Sequence, residues 1–190
     1  MALRRGFKAE AERLANDIWR QMGLTPKDRM DAVKLAEHVG CDVRPADSLV
    51  DIAKLRELRR IQQDAFSACT FELPDGRYAV VFNPLMSEAR RNSDIAHEVA
   101  HIVLGHSFSR LHRLGDIAFL SGDKQQEDEA AWLSGCLLLP RPVLLHDLRE
   151  RKTPGTIAQH RSVSQKMADY RVRVTGVRRQ LAAERRRRVS

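Results

Sequence analysis

The chain has 190 residues, with 33 Lys and Arg against 25 Asp and Glu, and carries a net charge of +8. At 43% hydrophobic and 31% charged it can bury a core, which argues against wholesale disorder, and its length suits one domain with at most a short appendage. No apolar run nears the roughly 18 residues a membrane-spanning helix needs, and residues 1–8 lack the apolar stretch of a secretory signal, so a cytoplasmic location without membrane contact is expected.

The first predicted helix covers residues 8–22, where Ala11, Leu14, Ala15, Ile18, Trp19 and Met22 recur at helical spacing and Gly23 closes the run. Thr25, Pro26 and Asp28 have the pattern of an N-cap, a first-turn proline and a capping acid, and predict a second helix through Val39 that stops at Gly40. Residues 41–45 predict an edge strand that Pro45 ends. Residues 51–61 predict a charged helix with Ile52, Leu55 and Leu58 as its apolar seam. Two β-branched and aromatic-rich runs, 65–71 and 77–82, flank Pro74, Asp75 and Gly76 and predict a β-hairpin.

Ser87 is an N-cap for a helix reaching about Leu104, with Gly105 as its stop. Residues 115–124 are expected to form a loop, residues 125–139 a second long helix, and Pro142 to start another as far as Arg149. Pro154 and Gly155 mark the one compositional boundary, which predicts a core over 1–150 and a basic helical extension over 151–190. The extension holds 12 Lys and Arg against 2 Asp and Glu, leaving 21 against 23 for residues 1–150, so the high isoelectric point belongs to the last fifth of the chain. Cys41, Cys69 and Cys136 are odd in number and far apart, as expected of free, mostly buried thiols.

The sharpest chemical signal is His97-Glu98-Val99-Ala100-His101, an HExxH motif inside the helix that begins at Ser87. Residues four apart lie one turn above each other, so both imidazoles can face one ion while Glu98, about 100° round the helix, stands beside it and works on its water. Composition alone would yield about 0.015 such matches in a chain of this make-up. Catalytic zinc usually takes three protein ligands and keeps one position for water. The HExxHxxGxxH arrangement fails, because Leu104 and Ser107 stand where Gly and His are needed. His106 is one residue short of that position and suits the helix end, where its charged form would favour the dipole. The remaining source is the acidic cluster Glu127, Asp128 and Glu129, opening a helix rich in small residues that can approach the HExxH helix closely; Glu127 is favoured and Glu129 is the alternative.

Asp94 to His106 together with Glu127 to Pro140 resembles the ImmA/IrrE family of zinc-dependent endopeptidases, which carries HExxH on one helix and an acidic, alanine-containing helix ending in Leu-Leu-x-Pro on the next. The resemblance spans residues 9–175. It implies an α+β zincin-like domain, mostly helical with a small sheet, one Zn2+ held by His97, His101 and Glu127, and Glu98 as the catalytic residue. The ligand set also accommodates Mn2+ or Fe2+. It further implies hydrolysis of a peptide bond in a helix-turn-helix transcriptional repressor. Ala131 departs from the pattern, where asparagine or aspartate is common. His106, His112 and Tyr170 are candidate donors to the oxyanion.

The extension supports a second reading. Two short helices joined at 161–163 have a helix-turn-helix spacing, with Arg161, Lys166, Arg171 and Arg173 as possible phosphate contacts, which describes a DNA-associated regulator with a silent metal site. The same segment in the ImmA/IrrE pattern is a packing element of the protease domain. Residues 185–188 are expected to form a solvated tail after a helix through Leu181, lending weak, salt-sensitive nucleic-acid contact.

Overall fold

The computed structural model describes residues 3–62, 65–106, 110–114, 117–121 and 123–189, with side chains described outside 110–121 and 188–189. Helix α1 (Phe7–Gln21) starts at Gly6, whose φ of 83° lies in the left-handed region, and buries Phe7, Ala11, Ala15, Ile18 and Trp19 along one face. That face lies on α5 (Lys124–Leu138), where Trp19 Nε1 donates to the Leu137 carbonyl at 2.7 Å. Trp19→Phe leaves that carbonyl without its donor inside the core and is expected to cost about 1–3 kcal/mol, read as a lower urea midpoint at unchanged m.

The second helix starts later than Thr25 and Pro26 suggest. Helix α2 spans Ala32–His38, with Asp31 as the cap that accepts from Val33 and Lys34 N–H. Thr25 and Asp28 do pair, through both the backbone N–H and the hydroxyl of Thr25, but they close an isolated turn. The reason is tertiary. The carbonyls of Pro26 and Asp28, which a helix would use at 30 and 32, are taken by the guanidinium of Arg161.

Strand β1 (Asp42–Pro45) runs parallel to β3 (Tyr78–Phe82), and β2 (Ala68–Glu72) pairs with β3 antiparallel, giving the order β1-β3-β2. The central strand buries Ala79, Val80 and Val81, and the β2–β3 turn passes through Gly76 at φ 80°. Helix α3 (Ile52–Ile61) follows β1 and buries only Leu55. Helix α4 (Glu88–Val103) is capped by Ser87, which accepts from Arg90 N–H, and buries Ile95, Ala96, Val99 and Ala100 against the sheet, α2 and α5.

Residues 115–124 are not a simple loop. Strands β4 (Arg110–Leu114) and β5 (Ile117–Ser121) pair antiparallel with Leu114 opposite Ile117, so the apolar run seen in the sequence belongs to a hairpin. Two short runs of β-forming residues that are too brief to show alternation gain their ladder only from each other.

Helices α6 (Arg141–Arg149), α7 (Pro154–Arg161), α8 (Gln165–Val174) and α9 (Val177–Val189) complete the chain. Ile157, Ala158, Val163, Ala168, Val172 and Val177 join the same apolar cluster as α1, α4 and α5. Arg161 and Arg171 are 1% exposed, so neither is available to phosphates, which corrects their place among the nucleic-acid contacts. Arg161 forks onto Asp147, and Arg171 donates to the Leu139 carbonyl and to Glu12. Lys166 and Arg173 are exposed. The tail is also helical through Val189, because arginine is a good helix former and α9 is tied to α6 by Arg149–Glu184 and Arg141–Gln180. Cys41 and Cys136 are buried and Cys69 is half-buried, all three free. Burial pushes the Cys136 thiol up to about 12. Among the described residues no helix is long and apolar enough to cross a membrane.

Candidate metal centre

Helices α4 and α5 lie against each other, and the buried small residues Ala96, Ala100, Ala130 and Ser134 let them do so closely. Gly135 faces α8 instead, where a Cβ would meet Arg171 Cδ at 3.0 Å, a tight contact. Asp123 caps α5 by accepting from Gln125 and Gln126 N–H, which orients the first turn and so aims Glu127 at α4.

Three side chains meet where the helices cross. His97 Nε2 lies 3.2 Å from Glu127 Oε2, His101 Nε2 lies 3.2 Å from His97 Nε2, and Glu127 Oε1 lies 3.5 Å from His101 Nε2. Tetrahedral zinc with N and O donors at about 2.0–2.2 Å separates adjacent donors by about 3.3–3.6 Å. With one carboxylate oxygen towards each imidazole, the observed separations are close to that spacing, so these residues fit the ion. The three donor atoms lie within 4.8 Å of one another. The centre is graded in exposure, from His101 at 12% through His97 at 29% to Glu127 at 48%, which leaves it open on the Glu127 side. Hydrogen bonds from His101 and then His97 hold the Glu127 carboxyl well below the usual carboxylate range.

Glu98 stands outside the triangle. Its Oε2 accepts from the Thr70 hydroxyl at 2.6 Å, so β2, an edge strand, fixes a residue of α4. The Glu98 charge adds to burial in pushing the neighbouring Cys69 thiol up to about 11. Thr70 escaped the sequence reading because nothing in a strand residue 28 positions earlier marks it as a partner of the motif.

The other acids and histidines lie elsewhere. Glu129 is buried and accepts from Arg4 N–H and Gln125 Nε2, away from the His97–Glu127 pair. His106 packs on the far side of His101, with the Nδ1 atoms 3.1 Å apart. Burial, helped by His101, lowers the His106 imidazole, so the charged helix-end role expected for it is disfavoured. Tyr170, on α8, stacks edge-on to Trp132 of α5, ring centres 6.0 Å apart. The His112 side chain lies outside the described residues. Ala131 is exposed and offers no polar group. A second cluster, His146, Asp147 and Glu150, has ligand-like spacing, but Arg161 and Lys152 already neutralise Asp147.

The family model described as the IrrE N-terminal-like domain, peptidase M78, matches residues 36–173. The chain belongs to the peptidase M78 family. The M78 family is one of zincin-like peptidases that are generally zinc-dependent, and the M78 domain accords with the mostly helical α+β architecture. A solved Mycobacterium tuberculosis transcriptional regulator shares the fold at a TM-score of 0.50 and 17% identity over 88% of this chain. The M78 chain spans 47% of that regulator's length. Comparison with curated proteins gives no match.

Proposed function

We propose that this M78 chain is a zinc-dependent endopeptidase that cuts a regulatory protein, a helix-turn-helix repressor by the ImmA/IrrE resemblance, and so relieves repression. One observation carries the reading: His97, His101 and Glu127 converge at the donor spacing of tetrahedral zinc, with the carboxylate of Glu98 alongside and free of the triangle. Zinc held by those three residues supplies Lewis acidity to a water molecule and to the scissile carbonyl.

The chain's own residues do the rest. Thr70 donates to Glu98 Oε2 and holds the carboxylate in one rotamer, leaving Oε1 to accept a proton from the attacking water. The same carboxyl then returns the proton to the departing nitrogen, and the second proton of the water follows it, so the peptide bond is replaced by a carboxylate and an ammonium group while Glu98 ends as it began, ionised. Because β2 is an edge strand and Thr70 is its middle residue, an extended polypeptide added to that edge runs past Glu98. The DNA-regulator reading draws less support, since two of its four basic side chains are inside the fold.

The deciding experiment incubates the zinc-loaded chain with the repressor encoded beside its own gene and maps the fragments by mass spectrometry. Discrete cleavage that a chelator stops and added Zn2+ restores is expected. An intact repressor under conditions where the chain holds one equivalent of zinc would sink the proposal.

A further inference from the structure

His101 uses both ring nitrogens. Its Nε2 faces His97 and Glu127, while its Nδ1 meets Nδ1 of His106 at 3.1 Å. The two rings stand edge-on, with centres 5.0 Å apart and planes inclined at 70°. On the opposite side of His106, Nε2 faces the Glu129 carboxylate, with Oε2 at 3.7 Å, beyond hydrogen-bond length but within reach of its charge. Glu129 is held from other directions by Arg4 N–H, Arg4 Nε and Gln125 Nε2. The side chains of His106 and Glu129 are 8% and 6% exposed, so neither is a solvated surface group.

A neutral imidazole carries one proton, so the contact between the two Nδ1 atoms needs one donor and one acceptor. If His106 carried its proton on Nδ1, its Nε2 lone pair would face a buried carboxylate, and the His101 proton would be forced onto Nε2, where it blocks a cation. The opposite assignment satisfies the Nδ1–Nδ1 contact and turns an N–H towards the buried carboxylate. Glu129 favours N–H on His106 Nε2, His106 Nδ1 then accepts from His101 Nδ1–H, and the lone pair of His101 is left on Nε2, pointing at His97 and Glu127.

We infer that His106, backed by Glu129, is a positioning residue that sets the tautomer and ring orientation of His101 for metal binding. The inference rests on the metal reading proposed above and assigns a task to two residues outside the ligand set. Partners of this kind commonly change metal affinity by about 10–100-fold.

The test is the Zn2+ affinity of the full chain, measured by competition with a chromophoric chelator, with thermal melting of the metal-free protein as the folding control. His106→Leu removes the acceptor and is expected to weaken affinity about 10–100-fold. In His106→Asn the side-chain Oδ1 occupies nearly the place of the imidazole Nδ1, and most of the affinity is expected to return. If His106→Leu fails to fold, Glu129→Gln carries the test: it removes the charge that selects the tautomer, and a loss of about tenfold is expected. Affinity within twofold of the native chain in His106→Leu, or in Glu129→Gln where that carries the test, overturns the assignment. Equal losses in the Leu and Asn variants do so as well, because they reduce His106 to a packing element. A native chain that takes up no zinc would instead strike at the metal reading itself.

Discussion

Glu98→Gln is expected to leave zinc uptake within a few-fold of the native chain and to lower peptide-bond hydrolysis by about 10²–10⁴, the usual contribution of a positioned general base. The substitution is nearly isosteric, so the contact of Thr70 with the side-chain oxygen can survive, and the triangle of His97, His101 and Glu127 loses no donor. Only the capacity to take a proton disappears. Metal affinity and turnover are therefore separated by this variant, and both are measurable on one preparation. Undiminished cleavage by Glu98→Gln would remove the carboxylate from the chemistry. Loss of zinc together with loss of cleavage would place Glu98 among the ligands instead of beside them.

Arg161→Ala is expected to be the most destabilising single change in the C-terminal segment, at about 3–5 kcal/mol, because it leaves a fully buried carboxylate with half its partners. Asp147 is 0% exposed and receives Arg161 Nε at 2.9 Å and Nη2 at 2.7 Å, with Lys152 at 2.9 Å as its other cation. The same guanidinium satisfies the carbonyls of Pro26 and Asp28, so the change also frees the turn that precedes α2. For a chain of this length the melting temperature should fall by about 6–20 °C. Burial raises the Asp147 carboxyl, but Arg161 and Lys152 outweigh it and hold it below its ordinary value of 3.8. The stability it contributes is present above that ordinary value and is lost as the pH falls through the lower value of the folded state. Urea midpoints at pH 7 and pH 3 should therefore differ more in the native chain than in Arg161→Ala. A variant that melts within 2 °C of the native chain would show the pair to be dispensable.

Some of this was legible in the order of residues. Ser87 capping α4, Gly105 beyond its end, and His97 and His101 one turn apart are all local facts, set by spacings of three to five positions. The hairpin of β2 and β3 was legible for the same reason, from its turn residues and flanking strands. The placement of Glu127 beside both histidines is not local, yet small residues on α5 and the acidic first turn pointed to it.

Elsewhere local signals misled because a distant group outbid them. Thr25 and Asp28 form their bonds as a capping pair should, but Arg161, 133 residues from Asp28, takes the carbonyls a helix would have used. Arg161 and Arg171 look like phosphate contacts when only charge and spacing are read, and they are buried ion-pair and carbonyl-binding groups once α6 and α5 lie over them. Thr70 next to Glu98, and the line from Glu129 through His106 to His101, depend on which side of a ring or strand faces which helix.

The sequence by itself thus determined most of the helices, the β2–β3 hairpin and the spacing of the HExxH residues, since these follow from contacts between near neighbours along the chain. Only the tertiary structure decided which acid reaches the histidines, which arginines are inside and what stands behind His101. Those outcomes depend on burial and hydrogen-bond direction between segments far apart in the chain, and the periodicity of either segment alone carries no record of them.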